Sequence, residues 1–281
     1  MRPNLGKVVV MEPAYSSTQL GRMHYRREGA GESIVLLHPG LWDSNFWMRL
    51  GPVLAERCDV LAPDVPPVGQ SEPQATEPSS LSEYTDSVIA LLDALGIESA
   101  TFSGYHVGSS IAVDAAARYP ERVDRLAPIG LFAVGTRAER ERFYIANVAD
   151  PIPFLNDDNL QDPKWLPRNF LDNEEPIDSE AYSKQLATQA LVGTRAWWHY
   201  RATFDFDVAD AMSKVSCPTL LLYLTGDTLT QAVAEEALSA ISGSTLQWLE
   251  GHHLMPLSDP EPIAQTMLDF MGATSAAAAS A

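Results

Sequence analysis

Cysteine is nearly absent from this 281-residue chain: only Cys58 and Cys217 occur, far apart in sequence. Neither has C-x-x-C spacing, so no disulfide framework and no zinc site is suggested, and each thiol beside its apolar run reads as buried. Positive charge is also scarce. Nineteen Lys and Arg stand against 37 Asp and Glu, for a formal net charge of −18. Such a surface repels phosphate backbones and anionic lipid, which argues against nucleic-acid and membrane partners. Long apolar runs are missing too. The stretch "MRPNLGKVVVMEPAYSS" has no apolar h-region and no small-residue cleavage site, so neither a signal peptide nor a membrane span is expected, and the cytoplasm is the expected compartment. No internal repeat is present.

What is there is an alternation. "ESIVLLHPG", "RCDVLAPDVPPVGQS", "SATFSG", "DRLAPIGLFA" and "CPTLLLYLTGD" are short apolar runs ending in turn residues, as buried strands do. Between and after them lie helical patterns. "LSEYTDSVIALLDALGI" spaces Val88, Leu91, Leu92 and Leu95 at helical intervals before Gly96; "SSIAVDAAARYPERV" and "EPIAQTMLDFM" follow the same rule. Strands alternating with helices predict an α/β fold, with a mostly parallel central sheet and helices on both faces. Residues 135–210 break the rhythm with charges, prolines and the aromatic cluster "RAWWHY". This segment is expected to be a helical cap, with the core formed by 1–134 and 211–271, and 272–281 a flexible tail.

The stretch "FSGYHVGSS" has two glycines, Gly104 and Gly108, around His106. It matches the strand-to-helix turn G-x-S-x-G, except that the nucleophilic serine is replaced by histidine. Four further motifs stand in order: "LLHPGLWDSNFW", "DVPPVGQS", "CPTLLLYLTGD" and "EGHHLMPLSDPEPI". Together these five resemble the α/β-hydrolase superfamily from about Thr18 to Met271. Pro39 and Pro67 stand where that family usually has glycine.

The resemblance implies roles. His106 occupies the nucleophile elbow, and histidine tolerates the left-handed backbone angles needed there. The backbone N–H groups of Val107 and Gly40 would form an oxyanion hole. Asp227 would be the acid that orients His252, with His253 as the alternative if the loop register slips by one. His38 would brace its loop. Leu41, Trp42, Tyr105, Trp197, Trp198 and Tyr200 are the pocket or lid candidates, where flat aromatic or polycyclic ligands would stack.

Four readings of His106 are open: a filler in a dead elbow, a nucleophile forming an acyl-imidazole, an acid or base acting with His252, and a metal ligand with His252 and Asp227. The acid–base reading is favoured, with no metal and no cofactor. It predicts a serine-free enzyme acting on a carbonyl-containing small molecule by non-covalent bond formation, cleavage, cyclisation or elimination. The resemblance sets such enzymes in natural-product tailoring. Hydrolysis by activated water or a histidine nucleophile, on an ester or lactone, is the alternative; a non-catalytic binder on the same scaffold is another. The expected assembly is a monomer or homodimer.

Overall fold

A computed structural model describes residues 11–18, 21–131, 179–193, 195, 198–227 and 230–279. Eight strands form one sheet: β1 (Glu12–Thr18), β2 (Gly21–Gly29), β3 (Ser33–Leu37), β4 (Asp59–Pro63), β5 (Ala100–Tyr105), β6 (Val123–Ile129), β7 (Leu220–Gly226) and β8 (Thr245–His252). Their order is β1-β2-β4-β3-β5-β6-β7-β8. The hairpin β1–β2 is antiparallel and β2 pairs antiparallel with β4; every later pairing is parallel. This is an α/β-hydrolase fold.

The central strands β3, β4 and β5 are buried along their length, apart from the first residue of β3, and read as unbroken apolar runs because helices cover both faces. Helices α1 (Leu50–Ala55) and α9 (Glu261–Ala279) pack against each other on one face; α2 (Leu81–Leu95) and α3 (Val107–Arg118) pack together on the other. Their cores are separate clusters, one around Phe102, Val88 and Ile111, the other around Leu36, Trp47 and Leu222. Each fully buried Leu or Val contributes roughly 1.5–3 kcal/mol. Helix α2 ends on Gly96 at φ 67°, a left-handed cap, where the sequence expects it.

Among the described residues, three α-helices lie between β6 and β7: α4 (Ser179–Val192), α5 (Trp198–Asp205) and α6 (Val208–Lys214). The rest of the expected cap, including Trp197, falls outside the described residues. Two helices complete the chain before α9: α7 (Ala234–Ala240) and the single turn α8 (Met255–Ser258).

The tail needs correction. Over the described residues the segment from 272 is helical: α9 continues to Ala279. Alanine is the best helix former, and Arg125 anchors the segment by donating to the Thr274 and Ser275 hydroxyls. Cys58 is buried as expected, whereas Cys217 is only half-buried.

Candidate active site

Parallel strands end on one edge of the sheet. The residues that follow β3, β5, β6, β7 and β8 are therefore neighbours: His38–Gly40, His106, Gly130, Asp227 and His253.

The elbow forms around its histidine. His106 has φ 49° and ψ −110°, a strained left-handed conformation, and α3 starts at the next residue. The flanking glycines are steric necessities. A Cβ on Gly104 would collide with the Gly108 carbonyl, and one on Gly108 with the Leu37 carbonyl. That second approach presses the α3 N-terminus against the His38–Gly40 loop. Val107 N–H is one of the first N–H groups of α3, which have no carbonyl within the helix to accept from them. The expected hole donors thus lie on adjacent segments.

His38 holds the loop. Its Nε2 accepts from Val65 N–H at 2.9 Å, so Nδ1–H donates to the Pro39 carbonyl at 2.9 Å. Burial pushes its pKa down and keeps it neutral. Leu41 follows at φ 66° and packs with Val68 and Val192. Tyr200 of α5 lies against Gly40: a Cβ there would stand 2.6 Å from the tyrosine ring. Burial pushes the Tyr200 phenol pKa up, so it stays a protonated donor. Trp42 stacks edge-on with Phe46 in the core at 5.2 Å, and Trp198 packs half-buried on the opposite cluster.

The acid meets the elbow tip directly. His106 Nε2 lies 2.8 Å from Asp227 Oδ2. The same oxygen accepts from Thr230 Oγ1 at 3.0 Å and Tyr105 Oη at 3.3 Å. The Tyr105 and His106 rings pack 4.3 Å apart. Asp227 is 1% exposed, whereas the His106 side chain retains 13%. Burial alone would raise the Asp227 pKa. The charge and hydrogen bond of His106, the Thr230 hydroxyl and nearby His253 outweigh it and hold the carboxyl below its usual range.

His252 was expected on Asp227 and is elsewhere. Its Nδ1 accepts from Leu254 N–H at 3.2 Å, and its Nε2 meets Ser258 Oγ at 3.2 Å. The cause is a β-bulge. The β7–β8 pairing runs from Leu224↔Leu249 to Gly226↔His252, so β8 carries one extra residue. Side chains alternate along a strand, and an inserted residue reverses which of two neighbours faces a given side. His253 is consequently the loop histidine that feels His106 and Asp227. Burial and the His106 charge push its pKa down, Asp227 pulls it partly back, and it settles at about 4. His106, Asp227 and His252 therefore do not converge as a metal set. Among the described residues, no cluster of three His, Cys, Asp or Glu is placed to hold a metal ion.

Two contributors went unforeseen. Thr230 lies three residues after Asp227, the spacing of a hydroxyl that caps its own turn. Gly130 follows β6 at φ 56°, and a Cβ there would stand 2.9 Å from Asp227 Oδ2 and 3.2 Å from His106 Cδ2. The "PIG" ending of its strand was the available signal.

A strained elbow, an acid on the next loop and an oxyanion loop beside them define a hydrolase-class site. The chain belongs to the alpha/beta hydrolase fold family, whose model matches residues 33–191. It is 26% identical over 254 residues to an Acinetobacter baylyi protein, (E)-2-((N-methylformamido)methylene)succinate hydrolase, covering 89% of this chain and 94% of that one. It is 36% identical over 112 residues to the 2-hydroxymuconate semialdehyde hydrolase of a Pseudomonas species, covering 39% and 40% of the two chains. In structure it resembles a hydrolase from Pseudomonas aeruginosa, with a TM-score of 0.76 and 24% identity over 96% of this chain and all of that one. It also resembles the enol-lactonase of Burkholderia xenovorans, with a TM-score of 0.69 and 21% identity over 92% and 100%. The named relatives are hydrolases. Among the described residues, no helix is long and apolar enough to cross a membrane.

Proposed function

We propose that the protein is a serine-free enzyme in which His106, oriented by Asp227, is the general base acting on a carbonyl-containing small molecule. The 2.8 Å contact between His106 Nε2 and Asp227 Oδ2 carries the reading. A carboxylate that accepts from one ring nitrogen fixes the tautomer: the proton stays on Nε2, and the lone pair sits on Nδ1. That lone pair takes a proton from carbon next to the carbonyl. Asp227 stabilises the imidazolium that results. The Val107 and Gly40 N–H groups donate to the enolate oxygen, and Tyr200 lies against Gly40. The His106 imidazolium then returns the proton to carbon or delivers it to a leaving group, which restores the neutral base. The setting we infer is natural-product tailoring, where carbonyl-rich rings are condensed, cyclised and opened.

The same base can instead activate water on a lactone or enol ester. The hydrolase names of the relatives favour keeping that second reading.

Proton exchange tests the base without a native substrate. 2-Tetralone in D2O should lose its benzylic protons faster with the protein than with buffer, followed by NMR. Asp227→Asn should cut that rate about a thousandfold, and His106→Ala should return it to the buffer rate. Wild-type exchange in a folded His106→Ala protein would end the proposal. Dihydrocoumarin opening, measured alongside, separates proton transfer from hydrolysis.

A further inference from the structure

The inner face of α4 carries polar groups that this chemistry does not use. Ala181, Gln185, Thr188, Gln189 and Val192 fall at helical spacing and are buried. Three of them have clear partners. Ala181 joins the cluster of Trp42 and Phe46, Val192 packs with Leu41 and Val68, and Thr188 donates to Asp43 at 2.6 Å. The stripe therefore lies over residues 41–43, directly after Gly40.

Between these contacts sit two glutamines. Gln185 is 3% exposed and Gln189 8%. Among the described residues, Gln189 Oε1, Gln189 Nε2 and Gln185 Oε1 have no hydrogen-bond partner. Burying an amide without a partner forfeits its bonds to water, and a methionine would fill the same volume without that loss. Unpaired polar groups on the helix that lies over residues 41–43 are what a ligand's own polar edge would satisfy.

We propose that Gln185 and Gln189 form the polar subsite that recognises the substrate, a neutral ring system presenting a donor and an acceptor side by side, as a cis-lactam or a hydroxy-carbonyl edge does. The proposal rests on the reading that substrate lies between α4 and the oxyanion loop. A primary amide pairs reciprocally with such an edge: its N–H group donates to the ligand carbonyl while its oxygen accepts from the ligand N–H or O–H. Gln185 Oε1 asks for a second donor. The pair offers two acceptors, one donor group and no charge. A carboxylate brings acceptors only and would face two carbonyl oxygens. On this chemistry the protein rejects acidic substrates of the kind named for its succinate-hydrolase relative.

The test uses the full chain and three bicyclic probes: isoquinolin-1(2H)-one, its N-methyl derivative, which lacks the donor, and 1-naphthoate. Calorimetric titration should show the lactam binding at least tenfold tighter than either other probe. Gln189→Met should remove that tenfold preference while the thermal midpoint holds or rises, since an unpaired buried amide is gone. Gln185→Met is the independent second variant and should weaken the lactam in the same direction. No detectable lactam binding, equal affinity for the three probes, or unchanged preference in both folded variants overturns the proposal. His106→Ala should keep lactam binding and lose tetralone exchange. Retained exchange there would sink the acid–base reading and leave the subsite standing; lost lactam preference in wild-type protein would do the reverse.

Discussion

His106 and Asp227 lie 121 residues apart in sequence and 2.8 Å apart in space. An imidazole at the elbow reaches farther than a serine hydroxyl, and it reaches the acid itself. Asp227 Oδ2 also takes the Thr230 and Tyr105 hydroxyls, so the carboxylate is a shared anchor for three side chains. The histidine in contact with this carboxylate stands at the tip after β5.

That contact depends on a missing side chain. Gly130 stands beside both partners at φ 56°, and Gly130→Ala would place a methyl 2.9 Å from Asp227 Oδ2 and 3.2 Å from His106 Cδ2. The pair must separate by several tenths of an ångström or the loop must shift. Tetralone exchange should fall on the order of a hundredfold in a protein that still folds, the usual cost of a small misplacement. An unchanged rate would show that the spacing of the pair does not matter to the chemistry.

No seryl intermediate should form. Ser103 Oγ donates to the Ala127 carbonyl at 2.7 Å, Ser109 Oγ donates to the His106 carbonyl, and Ser110 is fully buried. None of the three holds the elbow position, and the hydroxyls of Ser103 and Ser109 are committed to backbone carbonyls. A fluorophosphonate probe followed by intact mass should leave the protein unmodified. A stoichiometric adduct on any of the three would refute the serine-free reading.

Much of this was legible in the sequence, and the gaps have causes. The buried strands announced themselves because unbroken apolar runs such as Ile34–Leu37 are what covering a sheet on both faces requires. The elbow was legible from Gly104 and Gly108 because backbone collisions leave no other residue there. The hairpin β1–β2 was not, since half-exposed strands such as "EPAYSST" have no such run. The pairing of Asp227 was misassigned to His252 because a bulge changes strand parity without any residue signature. His106 was placed correctly at the tip, yet its reach to Asp227 is a matter of side-chain length and the empty space at Gly130, which pattern alone does not encode.

Three histidines, His38, His199 and His253, set a pH dependence of stability, and burial pushes the His38 pKa down as it does the other two. His199 of α5 donates from Nε2 to the Pro66 carbonyl at 2.7 Å, and burial, reinforced by His38, pushes its pKa down to about 3. His253 sits at about 4. All three stay neutral in the folded protein, while in the unfolded chain they protonate near 6.5. The unfolded state then binds more protons, so stability is full above pH 6.5 and is lost as pH falls toward 4 and 3. Asp64 and Asp227 have lowered pKa values and act only below about 4, outside this window. Urea unfolding between pH 7 and 4.5 should show a slope of up to about three protons, roughly 4 kcal/mol per pH unit at most. His199→Gln should remove about one proton from that slope. A flat profile across the window would mean that these rings are not held neutral.

The last prediction separates the two loop histidines. His106→Ser restores a hydroxyl at the elbow and removes the imidazole from Asp227, leaving that carboxylate with Thr230 and Tyr105. His253 already feels Asp227, whereas His252 is engaged by Leu254 and Ser258. The variant should lose tetralone exchange and gain slow turnover of p-nitrophenyl acetate, with a fluorophosphonate adduct on the introduced serine. Adding His253→Ala should abolish the new esterase activity, on the order of a hundredfold or more, because the hydroxyl then has no base. Adding His252→Ala should change it by less than a few-fold. The opposite outcome, loss with His252→Ala and none with His253→Ala, would place the bulge parity the other way and return His252 to Asp227.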